Sequence, residues 1–119
     1  MMKKILNDIK HIFRAFQYSW QGLVYVFKNE IAFRQDVLFF LIGLTVSFFL
    51  PVCAISRAIM IFSLFFILLM EMVNTAIEVI INRISTERNP LSGVAKDIGS
   101  ALVLFAFLNA IIVWLCILI

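Results

Sequence analysis

Five polar side chains, Glu71, Asn74, Thr75, Glu78 and Asn82, interrupt an otherwise apolar run, "LLMEMVNTAIEVIIN". In an α-helix their spacing places them on one face. Glu71 and Glu78 then stand two turns apart, about 10 Å along the axis. A carboxylate inside hydrocarbon costs several kcal/mol, so it faces protein, water or an ion and is kept for a purpose. For Glu71 that purpose is chemistry or an interhelical hydrogen bond or salt bridge. Glu78, nearer the polar end of the run, is cheaper to solvate.

Further acidic groups flank the same end: Glu30 and Asp36 in "KNEIAFRQD", Glu87 in "STERNP" and Asp97 in "AKD". Hard cations such as Mg²⁺ take oxygen ligands and bridge one or two carboxylates to substrate phosphates. Arg34, Arg83, Arg88 and Lys96 stand among them and suit phosphate oxygens. A metal, cations and a base are the parts that phosphoryl transfer uses. Taken singly, each charged residue near a membrane surface is usually just solvated. The chain has no GxxxxGK[ST] loop, GxGxxG turn or kinase catalytic-loop motif, so a bound nucleotide requires another kind of site.

The elements that must carry these groups are membrane helices. A chain that is 64% hydrophobic with mean hydropathy +1.08 lacks the polar surface that a water-soluble domain of 119 residues needs. Apolar residues at Ile5, Ile9, Ile12, Phe13, Phe16, Trp20, Leu23, Val24 and Phe27 alternate with Lys3, Lys4, Asp8, Lys10, Arg14, Gln17 and Gln21 at helical period. This predicts an amphipathic helix over about 5–29 that lies in the headgroup layer. Its start resembles a signal peptide, but no small-residue cleavage site follows, and the segment is expected to remain in the mature protein. Spanning helices are predicted at 37–55, 58–81 and 98–119, with a tight turn near Arg57 and a polar connection over 82–97 marked by Pro90 and Gly93. Cys53 and Cys116 lack metal-ligand spacing and read as small apolar side chains.

Six cations precede Val37, three lie in the 82–97 connection and only Arg57 lies in the opposite turn. The positive-inside rule places the N-terminus and the connection in the cytoplasm and the C-terminus on the periplasmic side. The net charge of +3 therefore speaks to membrane orientation and not to nucleic acid. Three thin helices can hardly enclose both a nucleotide and a lipid, which predicts a homo-oligomer with composite sites.

Together, "YSWQGL", "NEIAFRQD", "EMVNTAIE" and "LSGVAKDIGSALVL" resemble the bacterial integral-membrane diacylglycerol kinases over almost the whole chain, in the family's order and spacing. The resemblance implies an all-α membrane protein, three transmembrane helices preceded by an interfacial helix, assembled as a homotrimer in the bacterial inner membrane. It implies ATP-dependent phosphorylation of 1,2-diacyl-sn-glycerol to phosphatidic acid, within phospholipid synthesis or recycling. On this likeness Glu71 is the general base, with Asn74 a polar partner beside it, and Glu30 and Glu78 bind the Mg²⁺ that bridges ATP phosphates. Tyr18, Glu87, Lys96 and Asp97 surround ATP. Ser19, Trp20, Ala32, Phe33, Arg34, Gln35, Arg57, Ser100 and Trp114 lie along the lipid path.

Structural roles compete at several of these positions. Trp20 and Trp114 also read as interfacial anchors, Arg57 as a cap on the hairpin's outer end, and Asp97 as a cap on the third helix. The sequence departs from the family's pattern at His11, where an arginine is usual, and at "ERNP". Both departures bear on nucleotide affinity and selectivity. A sibling activity, phosphorylation of undecaprenol, uses the same chemistry. A small ion-conducting or transporter subunit would use Glu71 and Glu78 as a cation path, but the outer halves of the predicted spans are almost free of ionisable groups. A structural adaptor would gain nothing from the stripe.

Overall fold

The computed structural model describes residues 1–119 and is entirely helical. In chain order the helices are α1 (Met2–Asn29), α2 (Ile31–Phe49), α3 (Ala54–Ile84) and α4 (Pro90–Leu118). The chain divides into two units, Met1–Ile31 and Ala32–Ile119. The first is α1, closed by the Glu30 N–H donating to the Val26 carbonyl at 2.9 Å, with Glu30 itself extended. The second holds the three helices long and apolar enough to cross a membrane, α2, α3 and α4.

Their boundaries correct the expected 37–55, 58–81 and 98–119. The first helix begins six residues earlier, because nothing between Ile31 and Asp36 breaks a helix and polar side chains are tolerated in its first turns. It ends at Phe49 because Pro51 has no N–H to donate and forces Leu50 away from helical geometry. The 82–97 connection shrinks to residues 85–89. Pro90 opens α4 instead of breaking it: proline is pre-shaped for the first helical position, and the Asn89 side chain accepts the Leu91 N–H at 2.9 Å. Asn89 is therefore the cap, and Asp97 lies exposed two turns into the helix. At 31 residues, α3 is about 46 Å long, well beyond a ~30 Å hydrocarbon layer, so its polar end with Asn82 and Arg83 reaches past the apolar zone.

α3 and α4 form the principal helix pair. Leu64, Ile67, Ala106 and Ala110 are buried between them, ringed by Phe40, Phe66, Met70, Phe107 and Trp114. Helix α2 packs through Phe40 against Phe65 (5.8 Å between ring centroids) and Phe39 against Phe107 (6.1 Å). Gly43 lets α2 approach Leu64 on α3: a Cβ there would collide with Leu64 Cδ1. Leu, Ile and Phe side chains remain exposed along all three helices, the surface that a bilayer, and not water, accepts.

Candidate functional site

Most buried hydroxyls in Ala32–Ile119 bond back to their own helix. Ser47 donates to the Leu44 carbonyl at 2.7 Å, Ser63 to Met60 at 2.6 Å and Thr75 to Glu71 at 3.0 Å, the usual way of hiding a hydroxyl in an apolar helix. Two buried polar atoms do not follow this pattern. Oδ2 of Asp36 and Oδ1 of Asn74 have no hydrogen-bond partner. An unsatisfied buried polar atom costs about 1–3 kcal/mol and calls for an explanation.

Both residues line one cavity of about 470 Å³. Helix α2 contributes Ala32, Gln35 and Asp36, α3 contributes Glu71 and Asn74, and α4 contributes Ser100, Val103, Leu104 and Phe107. Glu71 is only 6% exposed and Asp36 9%, and both stand in the lining of this one cavity. The cavity therefore offers oxygen acceptors at Asp36, Glu71 and Asn74 and amide or hydroxyl donors at Gln35 and Ser100. That set suits an incoming hydroxyl group, which donates one hydrogen bond and accepts others.

Gly99, buried on α4, makes room for this arrangement. A Cβ at that position would collide with Asn74 Oδ1 and stand 3.3 Å from Asn74 Cγ. The absence of a side chain lets the carboxamide lie against α4.

Two other cavities lie within Ala32–Ile119. One, about 510 Å³, sits at the polar end of α3 and the start of α4, with Asn82, Glu87, Arg88 and Lys96 among its walls. There Lys96 Nζ donates to Asn82 Oδ1 at 3.1 Å. The other, about 230 Å³, is wholly apolar and includes Phe39, Leu64, Phe107 and Trp114. Phe107 is a wall shared with the carboxyl-lined cavity, so polar and apolar spaces adjoin.

Of the residues singled out from sequence, Ala32, Gln35, Glu71, Asn74 and Ser100 share one cavity, and Glu87 and Lys96 share another. The chain compares with known proteins over nearly its full length. Residues 17–118 match the family model described as prokaryotic diacylglycerol kinase. The diacylglycerol kinase of Escherichia coli strain K12 is 44% identical over 90% of this chain and 87% of its own length. That of Haemophilus influenzae is 42% identical over 91% of this chain and 92% of its own, and that of Pseudomonas aeruginosa is 40% identical over 94% and 91%.

The chain belongs to the prokaryotic diacylglycerol kinase family.

Membership makes it a lipid kinase of the bacterial membrane, and a kinase takes a nucleotide substrate. Against that background the remaining residues sort by position. Arg57 and Trp114 lie outside the carboxyl-lined cavity. Arg57 Nε donates to the Ser47 carbonyl at 2.9 Å and Nη2 to the Leu50 and Val52 carbonyls, each at 3.2 Å, so the guanidinium caps the end of α2. It also stacks over Phe48, 5.5 Å from the ring centroid. The Trp114 indole N–H is shared between the Met60 carbonyl (3.3 Å) and Ser63 Oγ (3.2 Å), locking α4 to α3. Phe33 is buried, and Arg34 and Glu78 are half-buried. On α1, Ser19 donates to the Ala15 carbonyl at 3.0 Å, and Tyr18 and Trp20 are exposed. Glu30 is half-buried at its end.

Sequence reasoning passed over two members of the site, Asp36 and Gly99. In the sequence Asp36 reads as one of the flanking carboxylates, just outside a span expected to begin at Val37. Starting the helix at Ile31 instead places Asp36 one turn beyond Ala32 on the same face.

Proposed function

We propose that this kinase transfers the γ-phosphoryl group of ATP to the free hydroxyl of 1,2-diacyl-sn-glycerol, giving phosphatidic acid and ADP, with Glu71 as general base. One observation carries the reading: a carboxyl group nine-tenths buried on a membrane-spanning helix opens onto a cavity built for a hydroxyl. The glycerol hydroxyl enters beside Gln35, Asn74 and Ser100. Glu71 accepts its proton as the alcohol oxygen bonds to the γ-phosphorus, and the bond from that phosphorus to the ADP oxygen breaks. The acyl chains follow the apolar wall from Phe107 toward Phe39 and Trp114. ATP lies toward the polar end of α3, where Lys96 and Glu87 stand, with Tyr18 and Asp97 as further contacts. The remaining lipid-path residues, Ser19, Trp20, Phe33, Arg34 and Arg57, guide the substrate or frame its route.

The donor chemistry fits a magnesium ion. No cluster of three or more acidic, histidine or cysteine side chains within the chain would cage a metal unaided, and Mg²⁺ characteristically takes one or two carboxylates plus substrate phosphates. Glu30 and Glu78 would hold it, both half-buried and bearing oxygen donors only. When bound, the ion neutralises charge on the phosphate oxygens. We further infer a homotrimer in the inner membrane, with α1 lying in the headgroup layer, the N-terminus and residues 85–89 cytoplasmic and the C-terminus periplasmic. The distribution of cations supports that orientation. The extensive exposed apolar surface of α2–α4 supports lipid and subunit contacts.

The test uses purified full-length protein in mixed micelles with MgATP and short-chain diacylglycerol. Glu71→Gln is expected to fold and to lose about 10²- to 10⁴-fold in kcat, the usual contribution of a positioned base. Wild-type turnover in that variant would remove Glu71 from the role. Undecaprenol assayed beside diacylglycerol decides the lipid class, and a higher kcat/KM for undecaprenol would replace the substrate named here.

A further inference from the structure

At the polar end of α3 one side-chain contact bridges two helices. Asn82 stands in the last turn of α3 and Lys96 in the second turn of α4, and Lys96 Nζ donates to Asn82 Oδ1 at 3.1 Å. Both side chains line the cavity of about 510 Å³, whose other charged walls are Glu87 and Arg88. Although Glu87 shares that cavity, the ammonium bonds to the neutral carboxamide.

A lysine carries its charge on a flexible four-carbon stem. A ligand that recruits a free lysine must first order that stem, and the lost rotamer freedom weakens binding. The bond to Asn82 orders it before any ligand arrives. It uses one of the three ammonium donors, so two N–H groups remain for phosphate oxygens.

We propose that Asn82 is a positioning residue for the nucleotide: its side-chain oxygen holds the Lys96 ammonium at the cavity wall, ready to meet the phosphates. The proposal rests on the reading of Lys96 as an ATP contact. The same bond also ties α3 to α4, but that tie is a minor part of the helix pair. Leu64, Ile67, Ala106 and Ala110 already pack the two helices together, and Asn89 caps the start of α4. One hydrogen bond between exposed side chains adds little to such a pair. Where the bond does matter is in the placement of a charge beside an open cavity.

The full-length enzyme in mixed micelles, with short-chain diacylglycerol and varied MgATP, tests this with three variants beside wild type. Asn82→Ala removes the acceptor. It is expected to raise the KM for MgATP about three- to tenfold, with kcat and the KM for diacylglycerol held within about twofold, the pattern of lost uniform binding. Asn82→Asp keeps an oxygen at the same reach and is expected to stay within about twofold of the wild-type KM, because its added charge is screened at an exposed position. Titration with Mg²⁺ and a β,γ-methylene analogue of ATP, which reads binding without turnover, should show the same weakening in Asn82→Ala.

The proposal is overturned if Asn82→Ala keeps the wild-type KM and analogue affinity, whether or not its unfolding midpoint falls, since the bond is then a helix tie alone. It is also overturned if Asn82→Asp weakens the nucleotide as much as Asn82→Ala does. A further loss of analogue affinity when Asn82→Ala is placed in a Lys96→Met background, where no ammonium is left to position, refutes it as well. Lys96→Met by itself tests the reading underneath. A wild-type KM for MgATP in that variant would remove Lys96 from the nucleotide site, whereas a weakened Lys96→Met beside an unaffected Asn82→Ala refutes only the role given to Asn82.

Discussion

Replacing Gly99 with alanine puts a methyl group where the Asn74 carboxamide oxygen lies, and the structure says how the strain divides. The new Cβ collides with Oδ1, lies 3.3 Å from Cγ and sits at an ordinary 3.6 Å from Ile77 Cδ1. Carbon atoms settle at ~3.5–4.0 Å, so the carboxamide must withdraw by roughly 1 Å while Ile77 stays put. Overpacking of this kind costs about 1–3 kcal/mol, but alanine also favours the helix over glycine by about 1 kcal/mol. Net destabilisation should therefore be small, ~0–2 kcal/mol. A 1 Å misplacement of a group that orients reactants, by contrast, costs on the order of 10²-fold in rate, or about 2.7 kcal/mol of transition-state stabilisation. The rate effect should exceed the stability effect.

Thermal unfolding in detergent and steady-state kinetics on the same preparations measure the two. Gly43→Ala is the control. Its Cβ collides with Leu64 Cδ1, the flexible end of a core side chain remote from the carboxyl pair, so it should shift stability by a similar amount and leave kcat alone. A second comparison places Gly99→Ala in an Asn74→Ala background, where the added methyl has nothing to displace and should cost no further activity. If Gly99→Ala folds and retains kcat within about threefold, the placement of Asn74 against α4 does not matter to the reaction and the role given to Asn74 fails.

Other outcomes follow from the same geometry. Arg57→Met keeps an apolar stem but strips the Ser47, Leu50 and Val52 carbonyls of their donor, so it should cost roughly 2–3 kcal/mol at about 1 kcal/mol per bond. A lowered unfolding midpoint with an unchanged KM for diacylglycerol would mark a cap, and a raised KM would restore it to the lipid path. Trp114→Phe removes the indole N–H from Met60 and Ser63 and should destabilise by about 1 kcal/mol without altering kcat. Cys53 precedes α3 with its Sγ 3.3 Å from Ser56 Oγ. The Ser56 hydroxyl and then its backbone N–H hold the thiol below the ordinary range. As pH rises, Cys53 should react with a membrane-impermeant maleimide at lower pH than an unperturbed thiol does, from the periplasmic side, and Ser56→Ala should move that onset upward. Labelling from the cytoplasmic side only would reverse the orientation.

Hydropathy alone required a membrane protein, because 119 residues of this composition cannot clothe a water-soluble surface. Helical period alone required that Glu71, Asn74, Thr75 and Glu78 share a face. These are one-dimensional properties, carried by each segment without its neighbours. Helix ends were less legible. Pro90 and Gly93 read as loop residues, yet a proline at the first helical position begins a helix, and Gly93 lies exposed within α4, where a Cβ would meet nothing.

Partnership between helices was not legible at all. Asp36 shares a cavity with Glu71 only because α2 sits at a particular rotation and height against α3, with Gly43 close to Leu64 and Phe40 seated on Phe65. Asn74 finds room only because Gly99 faces it from α4. The sequence thus determined which side chains stand in the membrane and which of them share a helix face. The tertiary structure decided which groups touch, because register between helices is set by steric fit over many side chains at once and leaves no local signature along the chain.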